Sequence, residues 1–444
     1  LENKRQLKLG ALIAGTGWSV GSWKHPDAVP DAPYNIDYLA QIAKKAESGK
    51  FDYLFFGDEL FISEKSHPNF LNRLDVLAIV TALSMVTKNL GLAATLSTTY
   101  NAPFNAARQL GSIDVISKGR LGWNVVTTAL EGASANFGEK TLMEHDERYR
   151  RADEFVQVVK GLWDSWEDGA FIRNRETGEF FNPSKMHGLN HVGKYFSVKG
   201  PLDIARSLQG NPVIFQAGMS KAGKNFASKH AEVVFVPLCS FEEAKAHRAE
   251  LRKLAAFHGR NPCDILVAID IRPIIGDTVE EAEEKYRSIA SYEDIGTALD
   301  FLSRYYNDID FKQYPLDEPF PDFGEFALNG WEYLTGQFTA MAKERHMTLR
   351  EVALEVNMPK TEWIGTPIQI ADRIQTWFEE GAGDAFMLNC PILPEGLNDF
   401  VEKVVPILQG RELFRTEYEG STLRENLGLK IPQNRYTLDK TVNK

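Results

Sequence analysis

Cysteine is scarce: Cys239, Cys263 and Cys390 are the three in 444 residues, far apart and without CxxC spacing. That excludes a disulfide framework and argues against a thiolate zinc site, and it fits a reducing, cytoplasmic compartment with three buried or partly buried thiols. Basic excess is also missing. With 50 Lys and Arg against 61 Asp and Glu, the net charge is -11. A nucleic-acid or anionic-membrane partner needs a cationic surface, so neither is expected, although one local arginine suffices for an anionic substrate. No apolar run approaches the roughly 20 residues of a membrane span. The run after Leu1–Arg5 is too short and too glycine-rich for a secretory leader. A dinucleotide loop is absent, since Gly15-Thr16-Gly17 lacks the third glycine of that pattern.

What is present is a recurring strand–helix unit. Strands are expected to open at Leu7, Phe51, Leu90, Leu121, Pro212, Val233, Ile265 and Ala385, the seventh running from Ile265 to Ile275. Amphipathic helices are expected over 36–48, 74–86, 103–116, 147–163, 222–230, 241–258 and 397–409. Parallel strands need a crossover, usually helical, and eight such units close into a barrel. The predicted fold is therefore α/β: a (β/α)8 TIM barrel forming a single domain over 1–444, with long inserted loops. Three stretches exceed ordinary loop lengths. They are Asp164–Leu208, Asp277–Gly365 and the polar tail Arg411–Lys444. The second reads as an inserted helical lid with helices over 279–290, 295–305 and 349–357, and the tail as a surface or subunit wrap.

In such a barrel the active-site groups come from the C-terminal strand ends. Here these are Asp58, Thr95, Ser97, Thr98, Thr99, Asn124, Thr127, Gln216, Gly218, Met219, Ser220, Asn389 and Cys390. The set is rich in neutral hydrogen-bonding groups. No close carboxylate pair or nucleophile–base pair is visible, so hydrolytic chemistry is disfavoured. Amides and hydroxyls suit a heterocyclic cofactor such as flavin. Asp58 is equally readable as a cap or turn residue. Asn124 in an apolar strand needs partners. Glu144–Tyr149 opens a long helix, and helix N-termini bind phosphate; His145 and Tyr149 share a face there. Gly218-Met219-Ser220 makes a small-residue strand–helix turn that suits an anion nest. His25, His67, Trp18, Trp23 and Phe61 lie in the first two loops. His187 and His191 are spaced four apart without an evident third ligand, so no metal is expected.

Six stretches taken together resemble one family. They are Ser97–Tyr100 (STTY), Gly119–Thr127 (GRLGWNVVT), Glu144–Tyr149 (EHDERY), Asn190–Phe196 (NHVGKYF), Gln216–Ser220 (QAGMS) and Tyr418–Glu425 (YEGSTLRE). The chain is similar to the bacterial-luciferase-like FMNH2-dependent monooxygenases, in the branch of nitrilotriacetate, dibenzothiophene-sulfone and pristinamycin monooxygenases. The resemblance implies reduced FMN and O2 as cofactor and co-substrate, a small-molecule substrate, a separate NAD(P)H-dependent flavin reductase, and a homodimer or tetramer. It places Asp58, Thr95 and Asn124 at the flavin ring and His145, Tyr149 and Ser220 at its phosphate end, with Gly218 and Met219 beside them. His25, His67 and Asn124 are candidates for catalysis, and His25, His67, Arg304 and Tyr305 for substrate contact. The stretches Phe61–Ser66 and Tyr314–Phe323 look like a subgroup from bacilli linked with salvage of S-modified, N-acetylated cysteines. This implies C–S cleavage of a compound such as N-acetyl-S-(2-succino)cysteine. The competing expectations are C–N cleavage of an aminopolycarboxylate, deazaflavin-dependent hydride transfer on the same fold, and flavin binding without catalysis.

Overall fold

A computed structural model describes residues 5–323 and 331–437. Eight parallel strands close into a barrel. In chain order they are β1 (Lys8–Leu12), β2 (Tyr53–Phe56), β3 (Gly91–Ser97), β4 (Leu121–Val126), β5 (Val213–Gln216), β6 (Val233–Val236), β7 (Leu266–Ile271) and β8 (Ala385–Leu388). Each pairs with its sequence neighbour, and β8 closes on β1 with Lys8 opposite Ala385. The outer ring contains α1 (Ile36–Ser48), α2 (Val76–Val86), α3 (Pro103–Ile116), α4 (His145–Trp163), α5 (Lys221–His230) and α6 (Phe241–Phe257). Local chemistry sets their starts. Asn35 caps α1 through Tyr38 N, Asp75 caps α2, and Ser240 closes a reciprocal capping box on Glu243 at α6. The buried faces of these helices, such as Leu39, Ile42, Ala43 and Ala46 of α1, pack on the barrel's outer surface.

The barrel's inside is a second core. Tyr53 and Phe55, Ala93, Val213 and Phe215, Val233, Ala268, and Ala385 and Met387 form it, at the alternate positions that face one side of a pleated sheet. The polar tail was expected on the surface or on a neighbouring subunit. Instead Leu423, Leu427 and Leu429 are buried in this same inner cluster and close the barrel's lower end. Three leucines within an otherwise polar segment have no better place to leave water. Arg424 locks the plug in place by pairing with Glu232 and donating to Gln209 O at 3.0 Å. Residues 438–444 of the tail lie outside the described residues.

Between β7 and β8 the chain departs from the barrel to form α7 (Val279–Ala290), α8 (Ile295–Tyr305), α9 (Glu332–Glu344) and α10 (Leu349–Asn357), then returns through α11 (Pro367–Glu379). This insertion has its own apolar cluster. Phe301, Leu302, Tyr305 and Tyr306 of α8 pack against Leu349, Val352 and Ala353 of α10 and the aromatic loop of Phe311, Phe320 and Phe323. Residues 324–330, within the expected lid, lie outside the described residues. Helices α7, α8 and α10 match the expected spans; α9 and α11 were not foreseen. The expected long strand from Ile265 to Ile275 is split. Pro273 lacks the ladder donor, so β7 ends at Ile271 and Ile274–Ile275 pairs separately with Ile364–Gly365. The last helix is likewise three pieces, with a π turn over Phe400–Val404 just before Pro406, which cannot donate the regular bond.

Candidate functional site

A cavity of about 1150 Å3 opens at the C-terminal end of the barrel, roofed by the insertion. It exceeds the roughly 300–1,000 Å3 of a single small-ligand site, so it has room for two molecules side by side. The inward-facing strand positions, Gly122 beside Ala93 and Phe215 among them, turn polar as they reach this space. Ala93 is followed by Thr95, Gly122 by Asn124, Ala268 by Asp270, and Met387 by Asn389, two residues on in each case. Asp58, Thr95, Asn124, His145, Tyr149, Gly218, Met219 and Ser220 all line the cavity.

The barrel-side wall is neutral. Thr95 and Asn124 are paired across β3 and β4, and Asn124 Nδ2 donates to Thr95 Oγ1 at 2.8 Å. Thr95 Oγ1 in turn donates to Phe56 O at 2.8 Å. This chain fixes the amide, and it leaves Asn124 Oδ1 buried with no partner among the described residues. Gln216 Oε1 and Asn389 Oδ1 are in the same condition. Buried acceptors without donors are costly, so Asn124 and Gln216 on the neighbouring strands β4 and β5, and Asn389 across the barrel after β8, mark places prepared for a ligand's N–H or O–H groups. A Cβ at Gly218 would stand 2.5 Å from both Tyr149 Oη and Gln216 Nε2. Only glycine leaves that part of the wall open.

Beside it lies the expected anion end. Ser220 Oγ accepts from Gly223 N at 3.1 Å, capping α5, and sits 3.3 Å from His145 Nε2. His145 and Tyr149 stack edge to face one turn apart on α4, with ring centroids 5.1 Å apart. Contrary to expectation, the α4 N-terminus is not an open phosphate cradle, because the Glu144 carboxylate already accepts from Asp146 N and Glu147 N. His145, Tyr149 and Ser220 present side-chain donors to the cavity at this end. Arg148, singled out only as part of a motif, is buried in the same wall and donates to Thr128 O at 2.6 Å.

The opposite wall is charged and aromatic. At its border with the neutral wall Arg73 pairs with Asp58 at 2.8 Å; burial pushes the Asp58 carboxyl up to about 6 even against the pull of that arginine. Arg304 of α8 contacts Glu59, and Arg272 stands 3.5 Å from Asp270. Trp18, Tyr305 and Trp331 line the same side. Arg304 and Tyr305, the sequence candidates for substrate contact, line the cavity. Arg272, Asp270 and Trp331 were missed, although an Asp and an Arg closing an apolar strand are a readable signal.

His25 and His67 do not line the cavity. His67 is buried with both ring nitrogens engaged, Nε2 with Trp18 O at 3.0 Å and Nδ1 with Asn69 N at 3.1 Å. His25 packs edge to face against Tyr292, with ring centroids 5.7 Å apart. Of the other loop aromatics, Trp23 is exposed and Phe61 packs over Gly132. His187 and His191 face two different carboxylates, Glu167 at 2.9 Å and Glu154 at 3.0 Å. Cys239 is partly buried and Cys390 buried, but Cys263 is exposed, contrary to the expectation of three sheltered thiols. Among the described residues no helix is long and apolar enough to cross a membrane.

Comparison with known proteins places this architecture. The family model described as luciferase-like monooxygenase matches residues 18–384. N-acetyl-S-(2-succino)cysteine monooxygenase of Bacillus subtilis (strain 168) is 48% identical, the alignment covering 98% of this chain and 99% of the relative. Nitrilotriacetate monooxygenase component A of Aminobacter aminovorans is 39% identical over 97% of this chain and 98% of its own. A crystal structure of riboflavin lyase with modified FMN and riboflavin superposes with a TM-score of 0.86 at 31% identity, covering 97% of both chains. The chain belongs to the luciferase-like monooxygenases, a flavin-dependent family that uses O2.

Proposed function

From that membership we propose that this enzyme uses reduced FMN and O2 to cleave the C–S bond of N-acetyl-S-(2-succino)cysteine or a close S-modified N-acetylcysteine. The observation that carries the substrate is the end-to-end 48% identity to the Bacillus subtilis relative of that name.

The cavity walls fit the cofactor. Asn124 Oδ1 and Gln216 Oε1 offer buried acceptors to a ring's N–H groups, Thr95 holds Asn124 in place, and Gly218 and Met219 leave the ring room. His145, Tyr149 and Ser220 would take the phosphate. Asp58, locked to Arg73 at the border of the two walls, would face the ring region. Bound reduced flavin supplies two electrons and activates O2. The protein's share is binding, orientation and exclusion of water, which the insertion provides by roofing the mouth. One oxygen atom enters the C–H bond beside sulfur and the other leaves as water. The carbon now bearing both hydroxyl and sulfur collapses, releasing N-acetylcysteine as the thiol and a 2-oxo dicarboxylate.

Reduced flavin is proposed to come from a separate NAD(P)H-dependent reductase; the nitrilotriacetate relative is named as component A. Exposed Met85, Val86, Val115 and Ile116 at the ends of α2 and α3 support a homodimer or tetramer. Low cysteine content supports a cytoplasmic setting. C–N cleavage of an aminopolycarboxylate is the second reading, favoured by the 39% relative.

The test supplies purified protein with FMN, NADH, a flavin reductase and O2, and follows thiol release from N-acetyl-S-(2-succino)cysteine. O2-dependent release of free thiol is expected. Release no greater than in the reductase-only control, with nitrilotriacetate consumed instead, would move the assignment to the second reading.

A further inference from the structure

Two guanidinium groups on the insertion-side wall have donors to spare. Arg304 contacts Glu59 through Nη2, while its Nε and Nη1 are buried and have no partner among the described residues. Arg272 has Asp270 Oδ2 3.5 Å from Nη2, and its Nε and Nη1 are likewise buried and unmatched. Their side chains are only 11% and 15% exposed, so bulk water does not serve these donors. Arg73, by contrast, is used up by Asp58 at 2.8 Å and Glu59 O at 2.9 Å.

The faces of both groups are covered. Phe70, Phe301, Tyr305 and Trp331 stand 5.2–5.8 Å from the Arg304 guanidinium carbon, and Trp18 lies 5.7 Å from that of Arg272. Rings stabilise a guanidinium from above and below and leave its in-plane N–H groups unanswered. The two sites adjoin. Trp18 packs edge to face on Phe301 at 6.1 Å, and Tyr305 feels the charge of both arginines. Both open into the one cavity. What is missing at each is a planar acceptor with two oxygens, which is the shape of a carboxylate. Burial raises the Asp58 and Asp270 carboxyls above the ordinary carboxylate range even beside these arginines.

We propose that Arg272 and Arg304 are the specificity-determining residues, each taking one carboxylate of a di- or tricarboxylate substrate. The proposal rests on the reading that this cavity holds a small substrate beside a flavin, and it adds the substrate's class. N-acetyl-S-(2-succino)cysteine and nitrilotriacetate, with three carboxylates each, both meet the requirement. An uncharged thioether does not.

Equilibrium binding to the oxidised, FMN-loaded protein tests it without turnover, read from the fluorescence of Trp18 and Trp331 in the cavity wall. The ligands are N-acetyl-S-(2-succino)cysteine, nitrilotriacetate, N-acetyl-S-methylcysteine with one carboxylate, and dimethyl sulfide with none. Wild-type affinity is expected to rise by about tenfold or more with each carboxylate engaged. Arg272→Gln and Arg304→Gln are each expected to lose about that factor on the tricarboxylates, and Arg→Lys at either position to recover part of it, because an ammonium lacks the fork. FMN affinity within about twofold of wild type separates a local loss from misfolding. If Arg304→Gln fails to fold for want of its Glu59 contact, Arg272→Gln and the wild-type ligand series still decide. Tricarboxylate affinity that is unmoved in the glutamine variants, or that falls equally for all four ligands, overturns the proposal. Arginine-dependent binding of a tricarboxylate that is never cleaved upholds it while sinking the C–S reading. Thiol release with a KM indifferent to both arginines does the reverse.

Discussion

The two walls of the cavity solve the problem of burying polar groups in opposite ways. The barrel-side wall carries amides and hydroxyls on rigid parallel strands, each fixed by a neighbour, as Asn124 is by Thr95 at 2.8 Å. The insertion-side wall carries arginines and carboxylates among aromatic rings, supplied partly by α8, outside the barrel. A neutral wall costs little to desolvate and can be kept ready for one cofactor. A charged wall costs more, and part of its charge is left uncompensated until an anion arrives. The neutral strand ends thus read as the cofactor's part of the site, and the charged wall, with Arg272 at the end of β7 and Arg304 on α8, as the part that sets which substrate is taken.

The sharpest way to break this division is to close the neutral wall alone. Gly218 is not in the left-handed region, so its backbone accepts a side chain, but its Cβ would meet Tyr149 Oη and Gln216 Nε2 at 2.5 Å. In Gly218→Val, FMN affinity, measured by quenching of flavin fluorescence, is expected to fall by about a hundredfold or more, roughly 3 kcal/mol. The unfolding midpoint is expected to drop by only about a few degrees. Affinity within about threefold of wild type would mean that the flavin does not lie against Gly218.

A second test loosens the charged wall alone. His67 lies behind it, bonded to Trp18 O and packed 5.5 Å from Phe301, so it ties the first loop to the insertion. Burial pushes its imidazole down to about 4. Between that value and the ordinary 6.5, the unfolded chain takes a proton that the folded one refuses. Stability therefore rises with pH across this window, is complete above about 6.5, and is lost as pH falls through 4. The contribution is at most about 3 kcal/mol, and about 2 if the site relaxes on protonation. His67→Asn, which keeps a capping acceptor for Asn69 N, is expected to flatten that limb of the pH–stability curve. At pH 5 the wild type should lose tricarboxylate affinity before FMN affinity. An acid limb of equal slope in both proteins rules the coupling out.

The sequence made the barrel legible because a buried parallel strand is a continuous apolar run, and Leu121–Val126 or Phe51–Phe56 can be little else. It made the neutral wall legible for the same reason: Asn124 inside such a run has no apolar excuse. Helix α11 was illegible because Pro367 and Thr366 read as a loop, although together they form a proline start and a capping box with Gln369. Helix α9 was hidden by Gly336 and its threonines, which are weak helix formers held by packing. The tail's polarity concealed Leu423, Leu427 and Leu429, whose burial depends on a barrel floor that no local pattern announces. Arg272 escaped because the strand was carried through Pro273; stopping the run at the proline would have put an arginine at a strand end.

The smallest predicted effect is the one that locates the cofactor's two ends within the neutral wall. Ser220 caps α5 and stands 3.3 Å from His145, so Ser220→Ala removes a hydroxyl from the anion end and nothing from the ring region. FMN affinity is expected to fall by about tenfold, the worth of one hydrogen bond to a charged group. Riboflavin has the same ring and no phosphate, so its affinity should stay put. The FMN-to-riboflavin ratio is the decisive quantity, because the lost cap, about 1 kcal/mol of helix stability, weighs on both ligands alike and cancels. Ser220→Thr keeps the hydroxyl and should keep the ratio. If the ratio is the same in all three proteins, the phosphate lies elsewhere, and Arg148 in the same wall becomes the group to test next.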